Sequence, residues 1–314
     1  MSCPTVQFVY LAPMHFPTRS LSSIIGVWCL CCMMGHGAPP VIPETVKTRI
    51  RQKVDYGYNP SVVVGMLNAD GRTYFSYGRT ALNANIPVNE HTVYEIGSVT
   101  KVFTAVLLAD AVERGEVALN QRVQAVVSND FPIPLGSPEI SLLHLATHRS
   151  ELPANPSNLC LAEPYRLFDC YDEVHLRDFL DDHSLSRKPG DAWEYSNLGF
   201  GLLGFALSQR QGVSYGDLLQ TRVLDRLGLE DTTLSVDASQ TFRTASGYSG
   251  PLLRPPFHMS VLAGAGELRS TASDMLRFLE SNLRLLTNGM NATLDGMRQQ
   301  RGSTPLPGVQ QGLG

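Results

Sequence analysis

The alternation of apolar and polar positions opens with two short runs, Val62-Val63-Val64-Gly65-Met66-Leu67 and Tyr74-Phe75-Ser76-Tyr77, joined by Asn68-Ala69-Asp70-Gly71. Apolar runs flanking a turn of Asn, Asp and Gly predict a β-hairpin. Two strands alone are marginal in water, so this hairpin needs further structure to belong to. Ahead of it, Thr45 to Val54 reads as a short basic helix. After it, Val102 to Val112 is an apolar run closed by Arg114-Gly115, the length of about three helical turns with a common C-terminal stop. Apolar residues lie nearly all round this helix, which predicts burial rather than an amphipathic surface position. From 116 to 260 the patterns are mostly helical and separated by Pro- and Gly-rich loops, among them the apolar, Gly-rich helix Leu198 to Leu207. Ser214-Tyr215-Gly216-Asp217 and Thr271-Ala272-Ser273-Asp274 read as capping boxes, the second opening a helix near 271–286. Gly289 to Gly314 is polar, rich in Gly, Gln and Pro, and carries no strand pattern. The expected class is α+β, a mostly helical lobe inserted into a sheet-based one. The hairpin lacks visible partner strands near residue 314, so either the sheet is very small or the chain is incomplete.

Composition narrows this picture. With 314 residues, 43% hydrophobic and 17% charged, the chain can bury a large core as one domain or two interleaved lobes. The net charge is −4, and lysine occurs only at positions 47, 53, 101 and 188. Without a basic run, nucleic acid is excluded as an expected partner. Near the N-terminus, Arg19 precedes the apolar run Ile24 to Met34, followed by Gly35-His36-Gly37-Ala38. That run is too short to span a bilayer but suits a secretory signal with small residues for cleavage. Residues 1–37 are therefore expected to be a leader and 38–314 the folded domain, secreted or periplasmic. The polar lead is long for a signal, which keeps open a start codon placed too early or a membrane anchor; membrane association follows only from an uncleaved leader. Of six cysteines, Cys3, Cys29, Cys31 and Cys32 lie in this leader. Cys160 and Cys170 remain, as one disulfide or as two unrelated thiols.

Against the apolar helix, Ser98 and Lys101 stand out. Three residues apart, they share a helical face at the end where backbone N–H groups are unpaired and the dipole is positive. Ser98 could be a simple N-cap and Lys101 could reach solvent. The alternative is that a lysine entering a helix with no polar face is buried, loses its proton readily, and accepts one from a neighbouring hydroxyl. A serine becomes nucleophilic in that way without a histidine. Trp193-Glu194-Tyr195-Ser196-Asn197 follows the turn Lys188-Pro189-Gly190-Asp191 and could put a phenol and an amide on one side of a loop, where a phenolate beside Lys101 would act as base. Packing for Tyr195 and helix capping for Asn197 are the plain alternatives. His144 and His148 have metal-ligand spacing, but no third ligand is near and no Glu follows His144, so no metal is expected. Gly247-Tyr248-Ser249-Gly250 lacks the spacing of a nucleophile elbow. Asn291-Ala292-Thr293 is a glycosylation sequon, meaningful only in a eukaryotic secretory host.

With Ser98-Val99-Thr100-Lys101 and Tyr195-Ser196-Asn197 in place, the chain resembles the serine β-lactamase and penicillin-binding-protein superfamily, in its class C branch. Further similarities are Leu143-His144-Leu145-Ala146-Thr147-His148-Arg149-Ser150, the Pro189-Gly190 turn, and Gly264-Ala265-Gly266-Glu267-Leu268-Arg269-Ser270-Thr271. The resemblance covers roughly residues 50 to 285. It implies an antiparallel sheet flanked by helices plus an inserted all-helical lobe. It also implies an acyl-enzyme on Ser98, proton transfer shared by Lys101 and Tyr195, and Asn197 bonded to Lys101 and to a substrate amide. The Ser98 backbone N–H would supply one half of the oxyanion hole. The implied partner is a small-molecule or peptide amide or ester, and no cofactor is implied. Two departures matter. No Lys or His followed by Thr or Ser and then Gly occurs after Tyr195, so the C-terminal strand that carries this third motif is expected to be missing. Glu151 and Glu267 stand where the family usually has Gly, which predicts backbone strain at both. A class C-like serine hydrolase is the leading expectation; a non-catalytic binding protein or an inactive fragment is the alternative.

Overall fold

The hairpin forms as its pattern predicts. In the computed structural model, which describes residues 37–160 and 165–314, β1 (Ser61–Asn68) pairs antiparallel with β2 (Gly71–Gly78), Asn68 opposite Gly71. The Asn68 side chain tightens the turn by accepting the Asp70 and Gly71 N–H groups at 2.9 and 3.1 Å. Alternate residues of β1 face opposite helices, as strand geometry requires. Val62, Val64 and Met66 pack with Ile50 of α1 (Glu44–Asp55), whereas Val63 packs with Ala272 at the start of α9 (Ala272–Asn282). Apart from Gly37, the residues assigned to the leader lie outside the described part.

Helices make up most of the remainder. In chain order they are α2 (Thr100–Glu113), α3 (Leu142–Ala146), α4 (Glu173–Asp182), α5 (Asn197–Gln211), α6 (Tyr215–Leu219), α7 (Asp225–Leu227), α8 (Ala238–Thr241), α9 and α10 (Asn291–Arg298). One π turn, Gln220–Leu224, joins α6 to α7. The α2 helix is the axis of the core: from Thr100 to Ala111 every residue but Val102 is buried. Its buried Asp110 is held by Arg114, Arg222 and Arg226, so the charge is paired on entering the interior. Gly115 ends the helix at φ 70°, as the Arg-Gly stop predicts.

Three further ladders are two residues long: β3 (Tyr94–Glu95) with β6 (Arg269–Ser270), β4 (Tyr248–Ser249) with β5 (Leu252–Leu253), and β7 (Gly302–Ser303) with β8 (Gln310–Gln311). The architecture is the expected α+β, with small separate antiparallel pieces among the described residues.

Some expectations are corrected and others decided. The stretch from Gly289 to Gly314 is not featureless: it holds α10 and the β7–β8 ladder. Met290, Leu294 and Met297 are buried at helical spacing, a short period diluted by polar neighbours. Ser214 and Thr271 cap their helices singly. Asp217 turns to the Ser214 hydroxyl, and Asp274 turns to Asp231 N–H and Thr232 rather than back to the cap. Within the sequon at Asn291, Thr293 is buried and bonded to Glu113. Cys160 and Cys170 form a disulfide, Cα atoms 6.0 Å apart. No helix among the described residues is long and apolar enough to cross a membrane.

Candidate active site

Ser98 sits in a single 3-10 turn, Gly97–Val99, that leads into α2. Gly97 takes φ 51°, which glycine adopts without a side-chain clash. The β3–β6 ladder fixes the approach to this turn, and the Leu268 N–H donates to Thr100 Oγ1 at 3.1 Å, tying β6 to the first residue of the helix. The serine side chain does not cap α2. Its hydroxyl instead meets two other side chains: Tyr195 Oη donates to Ser98 Oγ at 2.6 Å, and Lys101 Nζ lies 3.2 Å from the same oxygen.

Lys101 is 3% exposed. Its other two contacts are oxygens of neutral amides, Asn197 Oδ1 at 2.8 Å and the Ala265 carbonyl at 2.6 Å. No carboxylate is bonded to it, so burial acts uncompensated and lowers its pKa to about 7. The ammonium lies 4.8 Å from the Tyr195 ring centre and 5.9 Å from that of Phe200, over faces that favour a cation only modestly. A neutral amine has two N–H donors and one lone pair. Two carbonyl oxygens can only accept, so they take both donors and leave the lone pair for Ser98.

The placement of Ala265 depends on glycine in α5. A Cβ at Gly201 would fall 2.6 Å from the Leu262 side chain, and one at Gly204 3.2 Å from Gly264 Cα. Their absence lets the 3-10 segment Ser260–Ala265 lie close along α5. Thr104 anchors it from the other side, donating to the Gly264 carbonyl at 2.7 Å.

Tyr195 and Asn197 lie at the junction leading into α5. Ser196, not Asn197, caps this helix: its Oγ accepts the Gly199 N–H at 2.8 Å and donates to Pro153 O at 2.7 Å. That frees the Asn197 amide, which donates to Asn155 Oδ1 at 3.0 Å while its own oxygen faces Lys101. The half-exposed Tyr195 has its pKa raised by burial, with the Ser98 bond opposing. The expected phenolate is therefore disfavoured in the resting site, and the amine is the better proton acceptor there.

Of the residues singled out in the sequence, Lys101 and Tyr195 thus meet the Ser98 hydroxyl, and Asn197 is linked to it through Lys101. Asn155 and the Ala265 carbonyl complete the arrangement; Asn155, just beyond the Ser150-Glu151-Leu152-Pro153 loop, was not singled out, and Ala265 stood only within the Gly264–Thr271 segment, since a backbone carbonyl leaves no residue-type signature. Glu151 has the left-handed backbone expected of it, φ 64°, whereas Glu267 does not; His148, of which no strain was expected, is also left-handed at φ 55°. The Glu267 carboxylate instead accepts from Met259 N–H at 2.8 Å and meets His258 at 2.5 Å. His144 and His148 serve separate tasks: His144 Nδ1 accepts the Ser141 N–H in a true capping box, and His148 faces Tyr195.

A Ser-x-x-Lys helix start joined to Tyr-x-Asn within this α+β fold defines the serine β-lactamase and penicillin-binding-protein superfamily. The chain belongs to its β-lactamase family, whose model, described as Beta-lactamase, matches residues 46–314. It is 28% identical over 255 residues to the D-alanyl-D-alanine-carboxypeptidase/endopeptidase AmpH of Escherichia coli, covering 79% of this chain and 65% of that protein. It is 30% identical over 247 residues to a β-lactamase of Providencia stuartii, covering 77% of this chain and 59% of that one. The chain therefore spans less than two thirds of the length of both. Among solved structures, a class C β-lactamase from Rhodobacter sphaeroides superimposes with a TM-score of 0.74 at 25% identity, over 86% of this chain and 74% of that one.

Proposed function

We propose that the chain is the core of a class C-like serine hydrolase that forms an acyl-enzyme on Ser98. The observation that carries this reading is the grip on one hydroxyl by Tyr195 at 2.6 Å and by a buried lysine at 3.2 Å whose pKa is lowered to about 7. Lys101 takes the Ser98 proton as Oγ attacks a carbonyl; the oxygen's electron pair forms the new bond, and the carbonyl pair moves to its oxygen. The Ser98 backbone N–H, at the positive end of α2, receives that oxyanion. Tyr195 then passes a proton to the departing nitrogen or oxygen and is reprotonated from Lys101. Asn197 holds the amine in place and presents its amide towards the substrate. Water releases the acyl group in a second round of the same transfers.

The names of the relatives bring β-lactams and D-alanyl-D-alanine peptides forward as substrates, beside simple esters. All three use the same core residues, so substrate choice rests on the surrounding loops. The test is covalent labelling by a penicillin or fluorophosphonate probe. Labelling is expected on Ser98 and lost in Ser98→Ala; persistent labelling of that variant would overturn the nucleophile assignment.

A further inference from the structure

His148 holds Tyr195 from three directions. Its carbonyl accepts the Glu194 N–H at 2.8 Å and its ring Nδ1 accepts the Ser196 N–H at 3.1 Å, so one residue binds the peptide N–H groups on both sides of the tyrosine. Its ring lies 4.6 Å from the Tyr195 ring, tilted by 33°, and is itself backed by Phe200 at 4.9 Å and Trp193 at 5.4 Å. The residue is 4% exposed. Reaching both backbone groups puts His148 at φ 55°, a conformation that costs an L residue about 1–2 kcal/mol and persists only where surrounding contacts impose it. The two loops it joins are stitched on either side as well. Gly190 N–H donates to the Arg149 carbonyl at 2.8 Å, and Arg187 spans Glu151 and Glu194.

An Nδ1 that accepts a backbone N–H must carry its proton on Nε2, so the grip needs a neutral imidazole. Burial, with Lys101 nearby, keeps it neutral by lowering its pKa to about 4. His148 forms no hydrogen bond with Ser98, and whatever it contributes to the reaction passes through Tyr195.

We propose that His148 is a positioning residue that aims the Tyr195 phenol at Ser98, by gripping the backbone on both sides of the tyrosine and seating its ring. The proposal rests on the proton-transfer reading of the site. It differs from a packing role because the ring and the acceptor nitrogen each have a separate task, and two substitutions separate them. His148→Phe keeps the ring and removes the acceptor. His148→Asn keeps a short polar side chain that tolerates the left-handed backbone, and removes the ring seat.

The experiment measures the rate of fluorophosphonate labelling of the full chain for both variants, each in the wild-type and in the Tyr195→Phe background, with crystal structures of the single variants. Each single variant is expected to slow labelling about tenfold to a hundredfold at saturating probe, with little change in the concentration for half-maximal rate. In the Tyr195→Phe background the same changes should cost less than about twofold, because the group being aimed is gone. The crystals should show Tyr195 Oη displaced from Ser98 Oγ. Equal losses in both backgrounds, or a phenol still seated on Ser98 in both variants, would overturn the proposal. If the wild-type chain takes no label, the hydrolase reading fails instead, and the position of the phenol in the variant crystals alone decides whether His148 aims it. If one variant does not fold, the other carries the same comparison.

Discussion

On the proposed mechanism, Lys101 sets the pH behaviour of the site. Its pKa is lowered in the folded chain to about 7, so the neutral amine, the form that can take the serine proton, gains population as pH rises through that value. Ser98 labelling is expected to be slow at pH 6, to climb through pH 7 and to level off above 8; a flat profile from 5 to 9 would exclude Lys101 as the acceptor. Lys101→Arg, which stays charged throughout, should lose about 100-fold or more and lose the climb. His148 predicts a separate, stability-based effect. Its folded pKa of about 4 lies below the free value near 6.5, so the unfolded chain binds the extra proton and stability falls as pH drops. The contribution is complete above about 6.5 and lost as pH falls through the folded value, a shift on the order of 3 kcal/mol. Urea melts between pH 4 and 7 should show this slope, and His148→Phe should flatten it.

At the scale of elements, the site depends on how closely two segments of backbone approach. The 3-10 segment Ser260–Ala265 lies against α5 at Gly201 and Gly204, and its last carbonyl is one of the two acceptors that orient the Lys101 amine. In Gly201→Ala the new methyl would meet Leu262 side-chain atoms at 2.6 Å and its Cα at 2.9 Å, so backbone as well as side chain must move. The expected cost is about 1–3 kcal/mol. A fall in labelling rate larger than the change in melting temperature explains would show that the Ala265 carbonyl moved with the segment. The apolar, Gly-rich run of α5 is legible in the sequence as a buried helix. Its partner is not, because residues 60 positions downstream meet it only after the intervening loops and helices have folded. The same holds for α10, where buried Leu294 and Met297, with Met290 at the cap, gain meaning from α2 rather than from a strong period of their own.

For the whole molecule, the Cys160–Cys170 disulfide closes a loop ten residues long between the segment carrying Asn155 and α4. Asn158 continues the link by donating to the His175 carbonyl at 2.8 Å. Cys160→Ser with Cys170→Ser should therefore cost about 3 kcal/mol, read as a fall in melting temperature of roughly 5–10 °C. Unchanged melting would mean that the loop is already ordered without the bond.

Much of the site could be read without coordinates because its chemistry is local. Ser98 and Lys101 share one helical turn, and a lysine in a run with no polar face is buried wherever that helix packs. Tyr195 and Asn197 are likewise two residues apart, with the helix cap between them. The hairpin and the central helix are legible for the same reason, since periods of two and of 3.6 are properties of consecutive residues. What brings Tyr195 within 2.6 Å of a serine 97 positions earlier is long-range packing, and no local period encodes it. Tertiary structure alone decided that Ser196 takes the capping role and releases Asn197, that a carbonyl at Ala265 completes the lysine's environment, and that His148 grips both sides of Tyr195. Each of those choices depends on which buried donors and acceptors meet, and burial is settled only when the whole chain has folded.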